Sequence, residues 1–200
     1  MNFICFLNLQ RLLNFPKFAA SNLMETIQIH NKSFRLYITA AEIHNAIVRV
    51  ASRMNADLEG KNPLFIAVLN GSFVFAADLM REMKMECEIS FVKLSSYEGS
   101  ASTGKVKELI GLDRDIRGRT LIVVEDIVDT GVTLEALYGQ LAKGEPAEIR
   151  TATLLLKPLA YQKKIPVEYP AIEVPNDFLV GYGLDYDGLG RNLRDIYTAV

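Results

Sequence analysis

Cysteine and histidine are nearly missing from these 200 residues. Cys5 and Cys87 stand far apart and outside any metal-ligand spacing. That excludes a disulfide-stapled fold and reads instead as two unpaired thiols in a reducing cytoplasm. His30 and His44 are the only histidines, which argues against a His-centred triad and a His-rich zinc site. Excess charge of one sign is also scarce: 22 Lys and Arg oppose 24 Asp and Glu, a formal charge of −2. Bulk electrostatic binding of nucleic acid is therefore not expected. Nor is there an apolar run that reads as a membrane span. After Met24 no linker, low-complexity tract or internal repeat occurs. What is present is apolar substance: half the residues are hydrophobic, enough to fill the core of one substantial domain.

Residues 1–23 differ from the rest. They contain no acidic residue, and Arg11 and Lys17 fall within or after the apolar stretch, where a secretory signal would place its charge before it. This segment is expected to be a disordered extension or the product of an upstream start codon, with residues 24–200 forming a single domain. Beyond it, Ile43, Ala46, Ile47, Val50, Ala51 and Met54 recur at helical spacing within residues 39–58, behind a Thr39/Glu42 capping box. Residues 64–69 form a continuous apolar run, as in a strand buried on both faces. Asn70-Gly71 turns the chain, and a second helix is expected from Ser72 to about Lys84. Residues 87–94 read as a strand. Residues 95–115 are polar and long for a loop, a candidate flap. A third strand is expected over 120–124, a helix over 133–142 and a fourth strand over 149–156. Alternating strands and helices imply a parallel sheet with helices on both faces. After Lys157-Pro158 the pattern thins into pieces that suggest a smaller cap.

The chemistry concentrates between residues 121 and 134. An apolar strand delivers Glu125, Asp126 and Asp129 together, then Thr130-Gly131-Val132-Thr133 leads into a helix. Three carboxylates so close repel one another unless a cation or a hydroxyl-rich ligand sits among them. The donors that follow suit a phosphate at a helix N-terminus. Asp-Thr-Gly alone could be a cap and a turn. The longer pattern is far more specific, and it is neither a Walker loop nor a dinucleotide fingerprint. Asn70-Gly71, residues 125–133 and Lys157 all follow strand carboxyl ends, the edge at which such sheets bind ligands.

This pattern resembles the phosphoribosyl pyrophosphate signature of the type I phosphoribosyltransferases. The resemblance covers nearly everything after Met24 and narrows to the hypoxanthine-guanine branch. Leu69-Asn70-Gly71 is similar to that branch's pyrophosphate loop, Ser95-Ser96-Tyr97 to the start of its flap, and Lys157 to its strand-ending lysine. Phe178-Leu179-Val180-Gly181-Tyr182-Gly183-Leu184-Asp185-Tyr186, with Arg191, is similar to its purine- and pyrophosphate-binding tail. Asn70 stands where some members carry Lys, which removes a cation from the pyrophosphate loop.

The resemblance implies an α/β fold with a central, mostly parallel twisted sheet flanked by helices. The core would span about residues 39–157, with a hood from 158–200 and 24–38 and a flap over 95–108. It implies transfer of ribose 5-phosphate from phosphoribosyl pyrophosphate to a 6-oxopurine, through an oxocarbenium-like transition state. Thr130, Gly131, Val132 and Thr133 would cradle the 5′-phosphate, while Glu125 and Asp126 hold the ribose hydroxyls and shape the Mg²⁺ environment. Asp129 would be the general base at purine N7, favoured as an acceptor by its crowding with the other carboxylates. Lys157 would donate to the 6-oxo group and Phe178 would stack on the base beside Leu179. Asp185 would belong to the purine site and hold Mg²⁺ on the pyrophosphate side. Leu69, Asn70, Gly71 and Arg191 would bind pyrophosphate under a flap bearing Ser96 and Tyr97. A cytoplasmic homodimer or homotetramer, with no nucleic-acid or membrane partner, is implied too. Lys157 and Phe178 argue against adenine and uracil as acceptors, whereas xanthine stays open. A regulator on the same fold would call for a nucleic-acid-binding module or basic face, and neither is present.

Overall fold

A computed structural model describes residues 26–96, 106–112 and 114–200. The extension over 1–23, and the expected flap from Tyr97 to residue 105, lie outside the described residues.

An N-terminal hairpin of β1 (Thr26–Ile29) and β2 (Lys32–Ile38) leads into α1 (Ala40–Asp57). Thr39 starts that helix with a reciprocal cap. Its Oγ1 accepts from the Glu42 backbone N–H at 3.3 Å, and the Glu42 carboxylate accepts from the Thr39 N–H at 2.8 Å. The residues α1 buries are the six apolar positions of its periodic stripe. There follow β3 (Leu64–Leu69), α2 (Phe73–Arg81), β4 (Glu88–Ser96), β5 (Val106–Ile110) and β6 (Thr120–Val128). Next come α3 (Val132–Leu141), β7 (Glu148–Leu156), β8 (Tyr169–Glu173), β9 (Leu179–Val180) and β10 (Ile196–Ala199).

The large sheet has the order β5-β4-β3-β6-β7-β8, parallel throughout except for β5 at one edge. Period-two alternation splits its side chains between two cores. Phe65, Ala67, Ile122 and Val124 pack with residues of α1 and α2, while Leu64, Ile66, Leu121 and Val123 pack with Leu134, Leu137 and Leu141 of α3. This three-layer arrangement is the α/β architecture expected from the alternating pattern.

The hood is a separate antiparallel sheet of order β1-β2-β10-β9, so both ends of the described chain build it. Ile29, Phe34, Val180 and Tyr197 form its core. Asp195, just ahead of β10, accepts from the Ala40 N–H at 2.7 Å and ties the hood to the first turn of α1.

Several boundaries differ from the sequence reading. The second helix stops at Arg81, not Lys84, because Glu82 caps it with N–H bonds to Leu79 and Met80. The third strand runs past Val124 to Val128, since Ile127 and Val128 pair with Leu155 and Leu156. Glu125 and Asp126 therefore sit on a strand. The stretch assigned wholly to a flap includes the end of β4 and a paired strand, β5. The large sheet also continues beyond residue 157 to β8, so the core reaches further along the chain than the 39–157 span.

Phe34 is fully buried at the centre of the hood. Phe34→Ala should lower unfolding free energy by about 3–5 kcal/mol, read from urea titration. A loss below about 1 kcal/mol would mean that the hood packs independently of this ring.

Candidate active site

The chain leaves β3 toward β4 on one side and returns to β6 on the other, so β3 and β6 flank the topological switch point. Open α/β sheets bind ligands in the crevice beyond the strand carboxyl ends at such a point. Here that crevice is a cavity of about 420 Å³, lined by residues 125–134 with Leu69, Gly71, Val68 and Leu94. Its size suits a small-molecule site.

Parallel register pairs Ala67 with Val124, so the turn after β3 lies beside the acidic pair of β6. The approach is very close. A Cβ on Gly71 would lie 1.6 Å from an oxygen of Asp126, and a Cβ on Gly183 would lie 2.1 Å from the Gly71 carbonyl oxygen. Gly183 has φ +101°, a conformation open to glycine. The turn is thus held between Asp126 and the hood loop, with a cis peptide bond joining Leu69 to Asn70.

At the far end of the motif, Gly131 adopts φ +82° at the N-cap of α3 and provides no side-chain cap. Unlike α1, α3 thus begins without a side-chain cap, and residues 131–134 line the cavity, an arrangement suited to an anion at a helix N-terminus. Behind Gly131 lie the Tyr161 ring and the Lys163 stem, both too close for a Cβ.

Charge is distributed unevenly around the crevice. Glu125 is 5 % exposed. Burial first, then the neighbouring Asp126 charge, holds its carboxyl well above the usual carboxylate range. Burial also raises Asp126, against the lowering effect of the Ile127 N–H, its own N–H and the Arg191 guanidinium, with Asp185 adding to the rise. Asp129 stands apart from this pair. Val128 and Leu156 are register partners, so Asp129 and Lys157 leave adjacent strands side by side. Their Oδ2 and Nζ atoms are 2.8 Å apart. Crowding among three carboxylates was the sequence expectation for Asp129; a buried ammonium is what the structure places against it.

The hood brings a second pair. Arg191 binds Asp185 at 2.6 Å and also donates to the Gly183 carbonyl at 2.6 Å, while the other Asp185 oxygen accepts from the Gly188 N–H at 2.8 Å. Phe178 is 45 % exposed beside β9, and the Leu179 side chain is buried in the main core. Asn70, Lys157, Phe178, Leu179, Asp185 and Arg191 do not line this cavity; Arg191 lines a second hollow of about 610 Å³. Ser96 ends β4, and Tyr97 lies outside the described residues.

Among the described residues no three His, Cys, Asp or Glu side chains converge as a metal cage. The donor set still fits Mg²⁺, which keeps several waters and takes only one or two carboxylates alongside substrate phosphates. Glu125, Asp126 and Asp185 are the oxygen donors available. Reading the sequence residue by residue missed the roles of Gly183, Tyr161 and Lys163. The spaced glycines of Gly181-Tyr182-Gly183 were the visible signal of a close approach; nothing comparable marked Tyr161 or Lys163.

A family model described as "Phosphoribosyl transferase domain" matches residues 39–187. A hypoxanthine-guanine phosphoribosyltransferase of Mycobacterium bovis is 39% identical over 168 residues, covering 80% of this chain and 83% of that one. The protein of the same name from Streptococcus pneumoniae is 37% identical over 166 residues, covering 82% and 92%. Among solved structures, a hypoxanthine-guanine phosphoribosyltransferase of Bacillus anthracis superposes with a TM-score of 0.77 at 39% identity, covering 82% of this chain and 96% of that one. A hypoxanthine phosphoribosyltransferase of Staphylococcus aureus superposes at 0.79 with 32% identity, covering 83% and 91%.

Two tests follow from this geometry. Gly71→Ala should cost about 1–3 kcal/mol through the clash with Asp126 and abolish most ligand binding. Gly139→Ala, in open space within α3, should instead stabilise the fold by about 0.5–1 kcal/mol. Equal effects in urea melts would contradict the close approach. The second test uses pH. A carboxyl raised in the fold stabilises it while protonated, and that contribution is lost as pH climbs from its ordinary value, 4.5 for Glu125, through the raised one. Unliganded wild type should therefore lose stability relative to Glu125→Gln across this upward range. Parallel pH profiles would contradict the buried-charge reading.

Proposed function

The chain belongs to the phosphoribosyltransferase family, and from that premise we propose that it is a purine-salvage enzyme. It would transfer the 5-phosphoribosyl group from phosphoribosyl pyrophosphate to hypoxanthine, guanine or both, giving IMP or GMP and pyrophosphate. The observation that carries the choice of acceptor is the Lys157–Asp129 pair, a donor and an acceptor 2.8 Å apart at neighbouring strand ends. In a 6-oxopurine the O6 acceptor and the N7–H donor are adjacent, about one hydrogen-bond length apart. A base entering between the two side chains would exchange their mutual bond for two bonds of matching polarity. A 6-amino purine would set a donor against the ammonium and leave it unpaired.

The remaining residues then have consistent work. The backbone N–H groups at 130–133 and the hydroxyls of Thr130 and Thr133 would bind the 5′-phosphate at the α3 N-terminus. Glu125 and Asp126 would accept from the ribose hydroxyls. The Leu69–Gly71 turn and Arg191 would bind the pyrophosphate, and Phe178 would stack on the base with the Leu179 backbone at its edge. As the bond from C1′ to the pyrophosphate oxygen breaks, its electron pair leaves with pyrophosphate. N9 of the base then bonds to C1′, and the N7 proton passes to Asp129. Mg²⁺, held by Asp185 with Glu125 and Asp126 nearby, would supply charge neutralisation for the leaving group. Residues 95–108, with Ser96 and Tyr97, would close over the centre and exclude water. No helix among the described residues is long and apolar enough to cross a membrane. The reading is of a cytoplasmic homodimer or homotetramer without nucleic-acid or membrane partners.

Incubation with Mg²⁺, phosphoribosyl pyrophosphate and each purine should yield nucleotide from hypoxanthine or guanine and none from adenine. Asp129→Ala should reduce kcat by about 10²–10⁴-fold with little change in KM for phosphoribosyl pyrophosphate. No turnover of either 6-oxopurine would sink the proposal. A matching rise in that KM would make Asp129 a binding residue instead.

A further inference from the structure

The turn of the N-terminal hairpin has no part in the chemistry above, yet it grips the segment that presents the base platform. Lys32 opens β2, on the same side of that strand as Phe34 by period two. Its ammonium lies 5.0 Å from the centroid of the Phe178 ring and 4.6 Å from that of Tyr186. Tyr186 meets Phe178 edge-on at 5.7 Å, and Phe34 tilts against both rings at 6.2 Å and 6.0 Å. The Tyr186 hydroxyl donates to Asn31 Oδ1 at 2.8 Å, and the His30 ring bonds the Asp187 carbonyl at 3.3 Å. The two turn residues His30 and Asn31 and the first residue of β2 thus hold the loop that follows Asp185.

We propose that Lys32 is a positioning residue of the purine subsite, its ammonium fixing the plane of the half-exposed Phe178 ring against which the base stacks. A cation over an aromatic face is attracted by the ring quadrupole. Lys32, Tyr186 and Phe34 all contact the Phe178 ring, which is nonetheless 45 % exposed; on this proposal the base stacks on the face away from the ammonium. A preoriented platform lowers the ordering cost of binding the base. The residues proposed to bind phosphoribosyl pyrophosphate, 130–133, the Leu69–Gly71 turn and Arg191, are not the rings that Lys32 contacts.

The inference rests on Phe178 being the base platform of the enzyme proposed above, so wild-type turnover of hypoxanthine is measured first; its absence would refute that activity. Given turnover, Lys32→Met, which keeps the apolar stem, should raise KM for hypoxanthine about 2–5-fold. KM for phosphoribosyl pyrophosphate and the melting temperature should hold. Lys32→Arg should restore the wild-type value, and Lys32→Met should add nothing in a Phe178→Ala background. A lower KM in Lys32→Met would place the ammonium on the face the base needs. Equal rises in both KM values, or a failure of Lys32→Arg to rescue, would reduce Lys32 to a structural surface residue. Any of these outcomes overturns the inference.

Discussion

The parallel pairing of β3 with β6 is the constraint on which the rest of the site depends. Its register sets the turn after β3 against the acidic pair of β6. Contact there is so tight that Gly71 admits no side chain beside Asp126, and Gly183 admits none beside Gly71. Three segments remote in sequence meet there through backbone-to-carboxylate and backbone-to-backbone contact. The adjoining pairing of β6 with β7 then places Asp129 next to Lys157. One sheet register therefore positions the proposed pyrophosphate turn, sugar carboxylates, phosphate loop and base-recognising pair.

Electrostatics gives this geometry a direction. The carboxyls of Glu125 and Asp126 are raised by burial, and each is opposed or helped by groups that belong to the ligand-binding edge. Arg191 is tied to Asp185, and Lys157 to Asp129. In this arrangement both cationic donors are held by acidic partners; on the proposed reading a ligand replaces those partners. A phosphate ester with ribose hydroxyls and a divalent cation answers the needs of the first pair and the α3 N-terminus. A flat base with adjacent acceptor and donor would answer those of Lys157 and Asp129. The family match and these local demands point to the same reaction.

Much of this was legible along the chain. The stripe of α1 and its cap, the buried run of β3 and the acidic motif after a strand all follow from local periodicity and turn chemistry. What was illegible was set by tertiary pairing. β8 is short and contains Pro170, which an edge strand tolerates but a sequence reading takes for a break. β6 continues through two carboxylates because its neighbour β7 supplies partners and the cavity receives the side chains. The approach of Gly183 to Gly71, the ion pair between Asp129 and Lys157, and the grip of Lys32 on Phe178 each join remote segments. Their residue types were visible; their juxtaposition was not.

The decisive measurement is a crystal structure of the protein with Mg²⁺, phosphoribosyl pyrophosphate and an unreactive 6-oxopurine analogue. The predicted result is an opened Lys157–Asp129 pair, with Nζ on O6 and the Asp129 carboxylate on N7. A base bound elsewhere, with that ion pair intact, would contradict the proposed acceptor chemistry.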